Sequence, residues 1–455
     1  MDINAKIFRE YDIRGIVGQD LDEGVVELLG QAIGTYFADH EKKDVALGRD
    51  CRLSSPAFAA AMTRGLVATG REVTDIGVVP TPLLYFTVYE KKKEAGVMIT
   101  GSHNPPEHNG FKIMVGTETL YGEEIQAIYG LIRAGRFVSG RGEVRSLDIV
   151  PEYLDYVSAR VRPSRRLRVV VDAGNGTGGA VGVPLLRRLG CEVLPLFCEM
   201  DGRFPNHHPD PTLPEAMASL TAKVLEVKAD VGIGYDGDAD RLGVVDDQGH
   251  LIWGDQILII FARDILPSHP GAAVISEVKA SKVLYDEIAR LGGRPIMWRT
   301  GHSLIKKKIR EENAVLAGEM SGHIFFADRW FGFDDAIYAS ARLVEVLARS
   351  DRKLSAMLAD LPKTFTTPEI RIYASDEVKF RVVDEVRKEL ATRHKVIDID
   401  GVRAIFPGGW GLVRASNTQA VIVMRFEAET EAELAAIQAE VRGVLERVLR
   451  NLGQT

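Results

Sequence analysis

Cysteine is scarce in this chain: Cys51, Cys191 and Cys198 are the only three in 455 residues. An odd number of scattered thiols in a long chain argues against a disulfide framework. Long apolar runs are missing too. The most apolar stretch, Ile257-Leu258-Ile259-Ile260-Phe261, lies between Asp255 and Arg263, well short of the roughly eighteen uncharged residues of a membrane span. The first residues interleave Asp2, Lys6, Arg9, Glu10 and Asp12 where a signal peptide has an apolar core, so the expected location is the cytoplasm. Excess positive charge is also absent. A net charge of −7 disfavours non-specific nucleic-acid binding and leaves small anions, held by local basic groups, as the expected charged partners.

What is present is ordinary for a soluble globular protein: 45% apolar and 27% charged residues. The length implies roughly three or four domains. Three stretches repeat one plan of apolar strand, loop, amphipathic helix ending in glycine, and second strand. They run from Val45 through Gly70 to Val73, from Val169 through Gly190 to Leu194, and from Ala273 through Gly292 to Ile296. Glycine is the expected helix stop, and strand-helix-strand order predicts parallel pairing in an α/β layer. Each unit adds a short strand running into a polar loop: Thr100-Gly101-Ser102-His103-Asn104-Pro105, Asp236-Gly237-Asp238-Ala239-Asp240, and Gly318-Glu319-Met320-Ser321-Gly322-His323. Loops at equivalent strand ends are where ligands bind in α/β units. The last ninety or so residues differ, predicting a few strands and a long helix between Glu429 and Leu452.

The second loop places three carboxylates within five residues, followed by Arg241. Like charges this close repel unless a cation neutralises them, and a hard divalent metal is the natural partner. An extended loop would aim Asp236, Asp238 and Asp240 at one point; a solvated acidic turn is the plainer alternative. A calcium helix-loop-helix needs glycine where Arg241 stands and glutamate where Asp247 stands, which argues against that site. In the first loop Ser102 is a nucleophile, a metal ligand, a phosphate carrier or simply a turn former. Asn104 replaces the second glycine of a hydrolase elbow, so a serine hydrolase is disfavoured. A phosphoserine, with about two negative charges, would bind readily beside a divalent ion. Arg14, Lys112 and Arg241 are cations suited to that phosphoryl group, although each alone also fits a surface charge. Arg414-Ala415-Ser416-Asn417-Thr418 suits a phosphate or, equally, a capped turn.

These four loops, in this order, resemble the signature loops of the α-D-phosphohexomutases, and the likeness covers nearly the whole chain from Arg14 onward. It implies four domains in a heart shape: three related mixed α/β domains and a C-terminal α+β domain like the TATA-binding-protein fold, around a central cleft. The expected boundaries are 1–148, 149–251, 252–365 and 366–455. The resemblance further implies reversible phosphoryl transfer between C1 and C6 of a hexose phosphate, through phosphorylated Ser102 and a hexose 1,6-bisphosphate. Ser102, Asp236, Asp238 and Asp240 would hold Mg²⁺. Arg14, Lys112, Arg241 and His103 would surround the reacting phosphate, with His323 or Lys112 moving the proton. Glu319 and Ser321 would grip sugar hydroxyls, and Arg414, Ser416, Asn417 and Thr418 the second phosphate. Tyr11, Lys279 and His302 would complete the cleft.

Met320 and the stretch Asp201-Gly202-Arg203-Phe204-Pro205-Asn206-His207-His208 are similar to the phosphomannomutase/phosphoglucomutase branch; phosphoglucosamine mutases typically carry glutamine in place of Met320. The histidine pair in that stretch is expected to be structural. The expected partners are small hexose phosphates, with no nucleic acid or membrane, and the expected state is a monomer or weak homo-oligomer. A metal-dependent phosphatase or glycosyltransferase would need the acidic loop but neither Ser102 nor the Arg414 group. A non-catalytic sugar-phosphate sensor would have no use for Ser102 beside three aspartates.

Overall fold

The computed structural model describes residues 3–417 and 419–453. Its first three sheets share a four-strand centre. In the first, Glu72–Val78, Asp44–Arg49, Ala95–Ile99 and His108–Val115 lie side by side. The second repeats the order with Glu192–Leu196, Arg168–Asp172, Val231–Tyr235 and Leu242–Val245. The third does so with Arg294–Trp298, Ala273–Glu277, Leu316–Gly318 and Ile324–Phe326. In every case the first three strands are parallel and the fourth is antiparallel.

The pattern follows from the connections. A helix carries the chain back across the sheet and makes the next strand parallel, whereas a short loop reverses it. The crossover helices Ser55–Ala68, Gly178–Arg188 and Lys282–Arg290 are followed by Gly70, Gly190 and Gly292 at φ of 81°, 88° and 77°. That left-handed turn ends a helix cheaply only in glycine. The three polar loops therefore occupy one topological place, the reversal between the third and fourth strands.

The last sheet is antiparallel throughout. Val421–Ala428, Gly409–Ala415 and Val402–Phe406 form its centre, and the helices Lys379–Ala391 and Glu431–Asn451 pack against it. The second helix was legible in the sequence and starts at Thr430, whose side chain accepts from Glu433 N. The first, between the strands Ile370–Tyr373 and Lys395–Ile397, was not, because no glycine marks its end.

One apolar core runs through the first three units, from Ala46 and Tyr85 through Val169 and Ile233 to Phe261 and Leu316. Aromatic rings seal their seam: Trp330 stacks on Tyr338 at 4.1 Å and on Phe86 at 6.0 Å. Tyr153 donates to Asp335 Oδ2 across the same seam at 2.8 Å. The last sheet keeps its own core around Val382, Val402, Met424 and Val441. The three cysteines are free. Among the described residues no helix is long and apolar enough to cross a membrane.

Candidate functional site

The strand Ala95–Ile99 delivers Ser102 into a buried turn at a φ of 48°. Thr100 Oγ1 accepts from Ser102 N at 2.8 Å and itself donates to Asp238 Oδ2 at 3.1 Å. Ser102 Oγ donates to Asp236 Oδ2 at 2.9 Å and lies 3.0 Å from His103 Nδ1. The two loops press together so closely that a Cβ on Gly237 would fall 2.4 Å from Ser102 O. Burial, then the charges of Arg241 and Arg14, push His103 well below its usual range, so its ring is neutral.

The aspartate loop differs from the extended loop expected. It is a tight turn: Asp236 N donates to Arg241 O, Ala239 N donates to Asp236 O, and Ala239 sits at a φ of 56°. Asp236 Oδ1 closes it by accepting from Asp240 N and Arg241 N, each at 3.1 Å. The carboxylates converge through this turn rather than through strand-like alternation. Asp236, Asp238 and Asp240 are fully buried and bring ligand oxygens within 4.8 Å of one another. Asp238 Oδ1 and Asp240 Oδ1 have no hydrogen-bond partner among the described residues. A buried, all-oxygen donor set with free lone pairs fits a hard divalent cation.

Lys112, on the strand His108–Val115, reaches the same trio, 2.8 Å from Asp238 Oδ2 and 2.5 Å from Asp240 Oδ2. Burial disfavours its ammonium, but the two carboxylates outweigh burial and raise its pKa well above the ordinary lysine value. Asp236 is pushed far up by burial and by Asp240 and Asp238. Burial acts the same way on Asp240, yet Lys112 and His323 hold it below its ordinary value.

His323 follows the third loop and faces this cluster. Its Nε2 accepts from Arg241 Nε at 3.1 Å, and its Nδ1 lies 3.1 Å from Asp334 Oδ2. Asp334 also takes the buried Lys306 ammonium at 3.1 Å. Accepting from Arg241 fixes the Nε2 edge of the ring toward the serine and aspartate loops, with Nδ1 toward Asp334. His302, at the start of the helix His302–Glu312, stacks on His323 with centroids 5.7 Å apart. Burial and then Lys306 hold His302 well below its usual pKa.

A second group of residues gathers around the segment 299–302. Gly301 N donates to Glu319 Oε1 at 2.7 Å, and Ser321 Oγ donates to Glu319 Oε2 at 2.9 Å. Tyr11 OH donates to Thr300 O and accepts from Asn417 Nδ2, both at 2.8 Å, so one hydroxyl ties the first, third and fourth units together. Arg414, on the strand Gly409–Ala415, donates through Nε and Nη2 to Asp400 Oδ2 at 3.1 and 3.0 Å. Thr300 N donates to the same oxygen at 3.1 Å. Ser416 is buried beside Asn417, while Thr418 lies outside the described residues.

Ser102, His103, Lys112, Asp236, Asp238, Asp240, Arg241 and His323 thus form one cluster, and His302 joins it through His323. Tyr11, Glu319, Ser321, Arg414 and Asn417 form the adjoining one. Arg14 pairs with Asp12 at 2.5 Å and acts on the serine loop through its charge on His103. Lys279 borders the second cluster: its Nζ lies 2.7 Å from Glu369 and 3.8 Å from Glu277, whose carboxylate accepts from Thr300 Oγ1 at 3.1 Å and from Met320 N at 3.3 Å. His207 Nε2 lies 3.1 Å from Asp172 Oδ1, and its Nδ1 lies 2.9 Å from His208 O. Asp334, Lys306, Asp400 and Glu277 escaped the sequence reading. Asp334 is half of an Asp334-Asp335 pair, Lys306 opens a run of three lysines and Asp400 follows Asp398, so none stands out from ordinary surface charge by spacing.

Four family models match the chain in order. They are phosphoglucomutase/phosphomannomutase alpha/beta/alpha domain I over residues 5–139, domain II over 151–249, domain III over 253–365, and the C-terminal domain over 366–444. A phosphomannomutase/phosphoglucomutase of Pseudomonas aeruginosa is 47% identical over 98% of this chain and 96% of its own. A phosphoglucomutase of Neisseria gonorrhoeae is 45% identical over 98% and 97%. The crystal structure of a phosphoglucomutase/phosphomannomutase family protein from Burkholderia thailandensis superposes with a TM-score of 0.94, at 42% identity and 98% coverage of both chains. A likeness this extensive in sequence and in fold, with all four models in register, makes the chain a member of the phosphoglucomutase/phosphomannomutase family.

Proposed function

We propose that this protein interconverts the 1- and 6-phosphates of mannose and glucose, through phosphorylated Ser102 and a hexose 1,6-bisphosphate, in the cytoplasm. The observation that carries this reading is the position of Ser102 Oγ, 2.9 Å from a carboxylate of the buried aspartate trio. Nearly full-length relatives named for both activities support the two sugars. The residue ranges 1–148, 149–251, 252–365 and 366–455 are assigned as its four domains.

Ser102 is the carrier. A sugar hydroxyl attacks phosphorus as the bond from phosphorus to Ser102 Oγ breaks, and the serine oxygen leaves as an alkoxide. The hydroxyl proton passes to His323 Nε2; once the 1,6-bisphosphate has turned round, Ser102 Oγ attacks its other phosphorus and the departing sugar oxygen takes that proton back. His103, Arg14 and Arg241 surround the phosphoryl oxygens, and Lys112 balances the carboxylates below. Asp236, Asp238 and Asp240 fit Mg²⁺, which when bound neutralises charge developing between the serine oxygen and the phosphoryl group. Glu319 accepts and Ser321 donates to sugar hydroxyls. Arg414, Ser416, Asn417 and Thr418 hold the second phosphate while the sugar presents either end.

Ser102→Ala is expected to lower mutase turnover by several orders of magnitude, and the native protein to carry phosphate on Ser102 by peptide mapping. Coupled assays with mannose 1-phosphate, glucose 1-phosphate and glucosamine 1-phosphate, primed with 1,6-bisphosphate, test the substrate class. Near-normal turnover of the alanine variant would refute the reading.

A further inference from the structure

Behind the serine loop lies an arginine that none of the chemistry above uses. Arg52 is completely buried. Its Nη2 donates to Ser102 O at 2.8 Å and Asn104 O at 2.6 Å. Its Nη1 donates to Pro105 O at 2.6 Å and His108 O at 2.9 Å. Nε donates to Asp50 Oδ2 at 3.1 Å. All five donors of the guanidinium are therefore occupied, four of them by carbonyls of residues 102–108.

Asp50 completes the bracket by accepting from Gly101 N at 3.0 Å and Ser55 Oγ at 2.6 Å. The loop rests directly on the guanidinium: a Cβ on Gly101 would fall 2.3 Å from Arg52 Nε. From the second unit, Phe204 places its ring 5.0 Å from Arg52 Cζ and closes the other side.

We infer that Arg52 is the positioning residue of the phosphoryl-carrier loop, holding Ser102 in its left-handed turn and drawing the loop's carbonyl oxygens away from the phosphoryl group. This rests on the reading of Ser102 as the carrier. A φ of 48° is strained for serine and persists only where the surroundings over-determine it. The second effect is electrostatic. Carbonyl oxygens turned toward a serine bearing about two negative charges would repel it, and each one bound to Arg52 is turned inward instead. A lysine is a point charge with three donors and cannot reproduce this planar, five-bond arrangement.

Arg52→Lys tests the inference. It is expected to fold, to lose kcat about a hundredfold or more with KM within about threefold, and to exchange the amides of Gly101, Ser102, His103, Asn104, Glu107 and His108 at least tenfold faster. Lowered melting temperature with unchanged kcat per folded molecule would reduce Arg52 to scaffolding and overturn the inference, as would unchanged exchange in a folded variant. If Arg52→Lys does not fold, Phe204→Leu, which touches the guanidinium from the second unit, is expected to lower kcat several-fold without raising KM; an unchanged kcat would overturn the inference. The exchange measurement does not depend on turnover, whereas Ser102→Ala alone decides the carrier role, so the two ideas fail separately.

Discussion

Lys112 lies 2.5 Å from Asp240, and with Asp238 at 2.8 Å it supplies an ammonium to a trio of carboxylates that have no access to water. Removing that ammonium leaves buried charge uncompensated. Lys112→Met is expected to lose about 3 kcal/mol or more of stability in chelator. Added Mg²⁺ should restore a larger share of stability than it adds to the native protein. Denaturant titrations with and without metal measure this; an identical metal response in the two proteins would remove Lys112 from the charge balance of the trio.

His323 and Asp334 make a second test. His323→Gln is expected to lower kcat by about a hundredfold to ten-thousandfold with little change in KM, the range for loss of a positioned base. Asp334→Asn should give a smaller loss of kcat, because the His323 ring remains, together with a loss of stability from the buried Lys306 ammonium left without its carboxylate. Steady-state kinetics decide, and a change confined to KM would assign the pair to binding.

Arg414 presents Nε and Nη2 to a single oxygen of Asp400. Arg414→Lys is expected to raise KM about tenfold, because a point charge cannot present a planar fork to phosphate. Asp400→Asn should raise KM less and leave kcat in place. If both variants bind substrate normally, the second phosphate lies elsewhere.

Glu369 responds to acid. Its carboxyl is held at about 2 by Lys279, the largest influence, which outweighs partial burial. A folded pKa below the unfolded value means that this contribution is fully present above about pH 4.5 and is lost as pH falls toward 2. It is partly exposed, so its worth is on the order of 1 kcal/mol. Thermal melts should show native protein and Glu369→Gln converging as pH falls through that window. A difference that does not shrink with acid would show that the pair adds nothing through charge.

Much of the architecture was legible because glycine stops and strand-helix-strand repeats are local signals. The cluster around Ser102 was legible because its polar residues crowd into short loops, where spacing alone is unusual. Asp334 and Arg52 were not. Arg52 sits in Asp50-Cys51-Arg52-Leu53, an unremarkable start to a helix, and matters only because the fold lays residues 101–108 across it. Asp400 likewise gains its role from the pairing of Val402–Phe406 with Gly409–Ala415, which sets Arg414 beside it, and from the third unit's Thr300 N reaching the same oxygen. The extended shape expected for the aspartate loop failed because side chains in the loop bind its own backbone, a competition that residue spacing does not reveal.

The hydrogen bond from Asn417 to Tyr11 joins residues 406 positions apart. A chain emerging from the ribosome releases the serine, the three aspartates and His323 long before Asn417 appears. The serine and aspartate loops are thus synthesised well before the residue that ties the first unit to the fourth. Under the proposed function, a chain truncated before the last sheet would keep Ser102 and the aspartate trio and lose Arg414 and Asn417.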